Sequence, residues 1–414
     1  MDLIHRSCCG MDIHQKSIVA CVRITDPHAP EPVQEEVRTF ATTTREIMAL
    51  GDWLEQQQVS IVAMESTGVY WKPVWNLLEG RLKQILINPR EVKPRPGQKT
   101  DRRDARRIAE LLSYGLLSAS FVPERPQREL RDLTRTRATL LQDKARVANR
   151  LQKTLQDANI KLGSVASDVL GASGRDMIRA LIDGAMSPEA MAQLARQRMR
   201  PKIPQLIEAL RGHVNDHHRF MLQMQLDQIE QLEDQVEKLD ARIEAVMSPL
   251  EKAALNQLDD IPGIDRRAAQ NILAEVGADM SRFPTSGHLS SWAGLCPGNN
   301  QSAGRRGSGR MSQGNRWLKS TLNQCAWAAS RARDSYFSAQ HRRIAGRRGV
   351  KRATMAVAHT ILCVCYELLS RGEAYQDLGH DYFVRRNETA QKSRHIRGLE
   401  AMGYRVTLEK LPAA

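Results

Sequence analysis

Four acidic residues in the first quarter of the chain have the types and spacing for metal-dependent chemistry. They are Asp12 in G-M-D-I-H-Q-K, Glu65 in E-S-T-G-V-Y-W, and Asp101 with Asp104 in K-T-D-R-R-D-A-R-R-I-A. Carboxylates that converge in space repel one another unless a divalent cation sits between them, and that cation can then support phosphodiester chemistry. Taken singly, an acidic residue after a strand is usually a turn former or a helix cap. Asp101 alone also reads as a first-turn carboxylate favoured by the helix dipole, and Asp104 as a solvated partner for the arginines beside it. The metal reading rests on all four together.

The elements that must position them read as an α/β layer. Ser17 to Val22, Val59 to Met64 and Gln84 to Ile87 are short runs rich in β-branched residues, while Thr44 to Gln57 and Trp71 to Leu78 carry apolar residues at helical spacing. The Asp12 run opens the first strand pair, and Glu65 follows the strand that ends at Met64. A helix is expected over Asp101 to Ser113, and the i,i+3 spacing puts Asp101 and Asp104 on one of its faces. Strand-end carboxylates facing a helical pair resemble the ribonuclease-H-like nucleases, in which two Mg²⁺ ions activate the attacking group and stabilise the leaving oxygen. The preceding segment, P-R-E-V-K-P-R-P-G-Q-K, excludes regular helix and reads either as an extended basic loop along a phosphate backbone or as a solvated connector. Lys99, Arg102 and Arg103 are the expected backbone contacts there.

A second candidate centre lies far along the chain, in W-A-G-L-C-P-G-N-N-Q-S-A-G-R-R-G-S-G-R-M-S-Q-G-N-R-W-L-K, Trp292 to Lys319. Its Gly- and Ser-rich middle is a loop that combines hydroxyls with Arg305, Arg306 and Arg310. Serine is a weak nucleophile alone, but beside arginines and a metal-bound phosphate it can attack a phosphodiester and hold the nucleic acid as a covalent ester. The residues by themselves do not separate Ser302, Ser308 and Ser312, and a serine in such a loop is ordinarily a turn residue.

Composition fits a polyanionic partner. Lys and Arg number 61 against 47 Asp and Glu, a formal charge of +14 on 414 residues. Between Asn300 and Arg352 there are 13 basic residues and one acidic residue, Asp334. Seven cysteines, at spacings such as Cys8-Cys9 and Cys363-Val-Cys365, fit neither a disulfide framework nor a zinc set and read as reduced thiols in a cytoplasm. His213, His217 and His218 lack acidic or Cys partners at ligand spacing and read as an exposed helical face. No export signal or membrane span is expected, since the longest apolar run, Met355 to Leu369, is short and carries His359 and Glu367.

Three regions follow: an α/β domain over 1–120, a helical basic and coiled-coil region over 121–250, and a mainly helical domain over 251–414. Arg125 to Lys153 holds nine basic residues against three acidic ones, with leucines at helical spacing, and reads as a nucleic-acid-binding helix in which Arg131 and Arg135 contact phosphate. Leu222, Leu226, Ile229, Leu232, Val236, Leu239, Ile243 and Val246 form a coiled-coil seam, which could fold back on that helix or pair between protomers. The turn I-P-G-I resembles a helix-hairpin-helix element, with Gly263 letting a phosphate approach the next helix N-terminus. Trp71, Trp75, Trp292, Trp317 and Trp327 read as packing residues.

The strings around Asp12, Glu65 and Asp101, with I-N-P-R-E-V-K between them, resemble in order and spacing the RuvC-like domain of the DEDD insertion-sequence transposases. Members of that family are bridge-RNA-guided recombinases. The resemblance covers nearly the whole chain, because G-L-x-P, Q-S-A-G-R and G-N-R-W-L resemble the family's catalytic-serine motif. It implies that Asp12, Glu65, Asp101 and Asp104 bind Mg²⁺ and that Ser302 is the nucleophile; Ala303 stands where Gly is common. It also implies a RuvC-like N-terminal domain, cutting and rejoining of double-stranded DNA through a phosphoserine intermediate, a bridge RNA partner, and a homo-oligomer sharing a composite site. The alternatives are a junction nuclease that hydrolyses DNA with water and a non-enzymatic nucleic-acid-binding protein.

Overall fold

The computed structural model describes residues 2–65, 68–89, 92, 100–297, 301–302, 305–306, 311, 313–386 and 388–408, and of 301, 302, 305, 306, 388–391 and 394 the backbone alone. The chain divides into two compact units, Met1–Pro123 and Glu124–Ala414. The second takes in 124–250 together with 251–414, ranges that the sequence reading separates.

The first unit is built on β1 (Ser7–Ile13), β2 (Ser17–Thr25), β3 (Val33–Ala41), α1 (Thr44–Gln56), β4 (Ile61–Glu65), α2 (Trp71–Leu78), β5 (Gln84–Ile87) and α3 (Asp101–Ser113). The sheet order is β3-β2-β1-β4-β5. β1, β2 and β3 pair antiparallel, whereas β4 runs parallel to both β1 and β5. β1 is therefore central, and its near-continuous burial reflects a strand covered on both faces. Successive side chains point to opposite faces. Cys9, Met11 and Ile13 join a core with Ile47, Leu50, Trp53 and Leu54 of α1 and Val74 and Leu78 of α2. Cys8, the residue next to Cys9, packs on the other face with Ile108 and Leu112 of α3. Gly10 and Asp12 share that second face.

β3 has no counterpart in the sequence reading. Its residues, V-Q-E-E-V-R-T-F-A, are largely exposed on both faces, so an edge strand with charged side chains lacks the apolar run that marks the others.

Gly10 sets the distance between α3 and the sheet. A Cβ built there would stand 2.4 Å from both Ala105 O and Ala109 N, which are backbone atoms of α3. Only a residue without a side chain lets the helix lie this close to the strand.

The second unit is helical apart from one short hairpin among the described residues. It runs through α4 (Arg125–Asp157), four short helices α5 (Leu162–Val165), α6 (Ala172–Asp183), α7 (Pro188–Ala192) and α8 (Ile203–Leu210), and the long α9 (Asp216–Val246). Then follow α10 (Pro249–Asp259), α11 (Arg266–Val276), α12 (Ser286–Trp292), α13 (Arg316–Ala329), α14 (Tyr336–Arg348), α15 (Val350–Arg371), α16 (Tyr382–Arg386) and α17 (Glu388–Ala401). Val147, Leu151 and Leu155 of α4 share one core with Leu222, Leu226, Ile229 and Leu232 of α9, so the α9 seam packs on α4 of the same chain. His218 is buried rather than exposed: it closes the N-terminal capping box of α9 with Asn215, and its Nε2 lies 3.1 Å from Asp157 Oδ2.

α15 is longer than the apolar run read from the sequence. At 22 residues it is long and apolar enough to cross a membrane by length and composition alone. Its Ala353, Val357, Ala358, Ile361, Leu362, Cys365 and Leu368 are buried, and it packs on α12, α13 and α14, the use a core helix makes of such a face.

The Gly10 contact makes a prediction. Gly10→Ala should destabilise the first unit by about 1–3 kcal/mol, the usual range for overpacking, because the obstructing atoms are backbone that no rotamer change can move. Urea unfolding of the full chain with hydrogen exchange at α3 measures this; an unchanged α3 protection would show that the contact is not limiting.

Candidate active site

The first-unit carboxylates meet where β1, β4 and α3 end or begin. Met11 is paired with Met64, so Asp12 and Glu65 stand next along neighbouring parallel strands. Thr100 caps α3 by accepting from Arg103 N, which fixes Asp101 as the first helical residue and Asp104 one turn on. Asp104 is 8% exposed, whereas the Asp101 side chain is open to solvent. Because Asp104 adjoins Ala105, the close approach at Gly10 also brings this end of α3 toward the Asp12 face of β1.

His14 completes the cluster. Its Nε2 lies 3.3 Å from Asp12 Oδ2 and 3.4 Å from Asp101 Oδ1. One ligand atom from each of Asp12, His14 and Asp101 lies within 4.8 Å of the others, a group that could hold a metal ion. The sequence reading does not single out His14, although it sits two residues after Asp12, the spacing that returns a strand's side chains to one face. Its backbone N–H donates to Ser17 O in the β1–β2 turn, which fixes its main chain there.

Electrostatics at Asp12 call for a cation. Burial pushes its carboxyl above the ordinary value; nearby His14 pulls it back, and Asp101, Glu65 and Asp104 push it further up. A donor set rich in carboxylate oxygen, with strained negative charge, fits a divalent metal. Of the cations assigned beside this cluster, Arg102 and Arg103 are exposed on the first turn of α3, and Lys99 lies outside the described residues.

The serine motif forms the hairpin. β6 (Gln301–Ser302) pairs antiparallel with β7 (Arg305–Arg306), with Ser302 opposite Arg305 and Gln301 opposite Arg306. Ala303, Ser308, Arg310 and Ser312 lie outside the described residues. The base of this loop is pinched: a Cβ on Gly314 would fall 2.3 Å from both Ala293 C and Gly294 N, so the chain leaving the loop presses on the chain entering it.

Arg131 and Arg135 are not a phosphate-binding surface. Arg131 is buried, and its Nε donates to Ala274 O at 2.9 Å while its Nη2 donates to Glu275 O. Burial pulls its pKa down to about 10. Arg135 forms a two-pronged pair with the Glu275 carboxylate, at 2.7 and 2.8 Å. Glu275 is 2% exposed and accepts a third hydrogen bond, from Asn315 Nδ2 at 2.6 Å. Asn315 Oδ1 in turn caps α13 by accepting from Trp317 N and Leu318 N. The guanidiniums thus serve the carbonyls at the C-terminal end of α11 and, through Glu275 and Asn315, the exit of the serine loop. A sequence shows the arginines on α4 but not that α11 turns its C-terminus to them.

Gly263 also has a different role. At φ +89° it adopts a backbone that side chains disfavour, and a Cβ would meet Cys325 O at 2.4 Å and Ala329 N at 2.6 Å. It lets α13 pack against the α10–α11 turn rather than admitting phosphate, and the following helix N-terminus is capped by Asp265.

Residues 9–160 match a family model for DEDD transposases of the IS110 type, described as a transposase, and residues 255–342 match one described as Transposase IS116/IS110/IS902 family. The chain belongs to the IS110 family of DEDD transposases. The first match contains all four carboxylates and the second contains Ser302. Among similar proteins, the "Insertion element IS110 uncharacterized 43.6 kDa protein" of Streptomyces coelicolor is 26% identical over 302 residues, 68% of this chain and 73% of its own length. The "Transposase for insertion sequence element IS1111A" of Coxiella burnetii is 25% identical over 298 residues, 70% of this chain and 72% of its own. An IS110-family transposase is a DNA-acting enzyme, and here its carboxylate cluster and its serine loop belong to different compact units.

Two outcomes follow from these networks. A raised carboxyl pKa means that the folded state holds the Asp12 proton more tightly than the unfolded chain, so stability falls as pH rises from the unfolded value through the folded one. At neutral pH and without metal, Asp12→Asn should therefore melt at or above the native chain. A divalent cation at 100-fold its Kd should stabilise the native chain by about 2.7 kcal/mol and the variant by much less, which differential scanning fluorimetry measures. Separately, Glu275→Ala should cost about 3–5 kcal/mol in urea unfolding by taking both acceptors from Arg135 and the counter-charge from the buried Arg131, which keeps its backbone carbonyls; a cost below about 0.5 kcal/mol would reduce the network to a surface pair.

Proposed function

We propose that this transposase breaks and rejoins double-stranded DNA with a Mg²⁺-bound carboxylate tetrad and a serine nucleophile, guided by a bridge RNA. The observation that carries the reading is the convergence of Asp12 and Asp101 around His14, with Glu65 and Asp104 pressing on the same charge. Asp12, Glu65, Asp101 and Asp104 would hold the metal in a RuvC-like N-terminal domain. Oxygen ligands suit Mg²⁺ better than imidazole does, so His14, whose Nε2 lies 3.3 Å from Asp12 and 3.4 Å from Asp101, would stand beside the carboxylates rather than hold the metal itself. Bound there, the metal would supply charge stabilisation for the reacting phosphate.

Ser302 is the nucleophile. Its Oγ attacks phosphorus, the Oγ–P bond forms, the bond from phosphorus to the deoxyribose oxygen breaks, and the serine proton passes to that oxygen. A second strand's hydroxyl reverses the step, and the ester conserves the bond energy so that no ATP is needed. Arg305, opposite Ser302 in the hairpin register, and Arg306 and Arg310 supply positive charge for the phosphorane-like transition state. The family resemblance supports a composite site in a homo-oligomer, the tetrad of one protomer working with the serine of another. Sequence choice falls to base pairing by the RNA, leaving the protein to bind backbone and shape.

The decisive experiment is a denaturing gel of end-labelled donor DNA with full-length protein, Mg²⁺ and the RNA encoded beside the gene. Native protein should retain label until protease treatment. Ser302→Ala and Asp104→Ala should each abolish the retained species, and chelation or omission of the RNA should do the same. Cleavage that survives Ser302→Ala without retention would make the protein a hydrolytic nuclease.

A further inference from the structure

We infer that the groove between the length of α13 and the first turns of α15 receives an unpaired stretch of the DNA strand, one base stacking on Trp327 and its phosphates lying on Arg316, Lys319 and Lys351. The groove encloses about 1150 Å³. That exceeds the roughly 300–1,000 Å³ of small-molecule pockets and suits a polymer segment.

Trp327 is the first reason. It lines the groove and is 44% exposed, which corrects its reading as a packing residue. The ring is nonetheless held: the Arg331 guanidinium sits 5.1 Å from its centroid, and His341 meets it at 65° and 6.2 Å. His341 is fixed by Thr354 Oγ1, 3.2 Å from its Nε2. An indole set in place before binding loses little entropy when a base stacks on it.

Charge supplies the second reason. Arg316, Lys319 and Lys351 line the same groove, and none of the described lining residues is acidic. Arg347, Arg348 and Arg352 are exposed close by in sequence, around the start of α15. Three cations spread along a groove that ends in an exposed aromatic ring suit a phosphodiester chain with π-faced bases, and a neutral ligand would have no use for them. Asn323, whose amide both donates and accepts, also lines the groove and can meet a base edge. A base inside a duplex cannot reach such a wall, so the strand must be unpaired there.

The choice of DNA rests on the serine reading above. Gln313 and Gly314, which line the groove, are the last residues of the loop that carries Ser302. A strand held here runs toward that loop.

Fluorescence anisotropy at one fixed salt concentration tests the inference, using full-length protein with a labelled oligothymidylate, a duplex of equal length and an oligouridylate. Trp327→Ala should weaken oligothymidylate binding about five- to 150-fold, the worth of one stacked base, with duplex binding changed less than about twofold. Trp327→Phe should restore most of the affinity, since it keeps a π-face. Lys319→Gln with Lys351→Gln leaves the ring untouched; in a salt titration it should lower the slope by about 1.4, at about 0.7 for each single-strand phosphate no longer neutralised. Equal weakening on duplex and single strand, unchanged binding with either variant, or a larger effect on oligouridylate would overturn it. Should Trp327→Ala lower the melting temperature, the lysine pair decides alone. Ser302→Ala should bind oligothymidylate like the native chain, so retained binding with unchanged covalent capture would sink the serine reading and leave this site standing.

Discussion

The first unit depends on one close approach, the backbone of α3 against β1 at Gly10. Carboxylates on a strand and on a helix repel, and a helix docked by ordinary side chains would stand further off. With glycine in β1, apolar burial of Ile108, Leu112, Ala105 and Ala109 holds α3 against the sheet and overrides that repulsion. The energetic cost is left at Asp12, whose carboxyl is pushed up by burial and by its acidic neighbours. Packing therefore stores an electrostatic demand, and a cation satisfies it without any change in the fold.

A comparable division of labour organises the second unit. Arg137, 1% exposed, ties α4 to α9 through Asp240 and to α11 through Gln270 and Asn271. Arg131 and Arg135 tie α4 to the end of α11 and, through Glu275 and Asn315, to the start of α13. Five donors in a planar fork suit arginine to such carbonyl-rich junctions, where lysine would leave acceptors unmet. Three of the α4 arginines are thus engaged in internal junctions, while Arg125, Arg146, Arg150 and Lys153 stay exposed, as do Arg347, Arg348, Lys351 and Arg352 around the start of α15.

The α/β core is legible in the sequence, because central strands and amphipathic helices write their burial into residue type. The bounds of α2, β5 and α3 agree with the spacing of apolar residues, and the carboxylates of β1 and α3 converge as their positions imply. β3 is not legible, because an exposed edge strand has no apolar face to announce it. Arg131, Arg135 and Gly263 mislead for one shared reason: their partners lie from 62 to 144 residues away, and local charge or turn chemistry says nothing of them. His14 is legible in principle, two residues from Asp12, but an imidazole beside acids has many uses until a distance is known.

The two kinds of site impose an order on the chemistry. Phosphate is repelled by the acidic cluster of the first unit as long as its charge is unbalanced, whereas the basic stretch around α13 to α15 attracts phosphate at any time. DNA should therefore be held first by the second unit and accepted by the carboxylates only once a cation has reversed the local field. The like charges of Asp12, Glu65, Asp101 and Asp104, whose repulsion also pushes the Asp12 carboxyl up, make this corner of the first unit unattractive to a polyanion until a cation balances them.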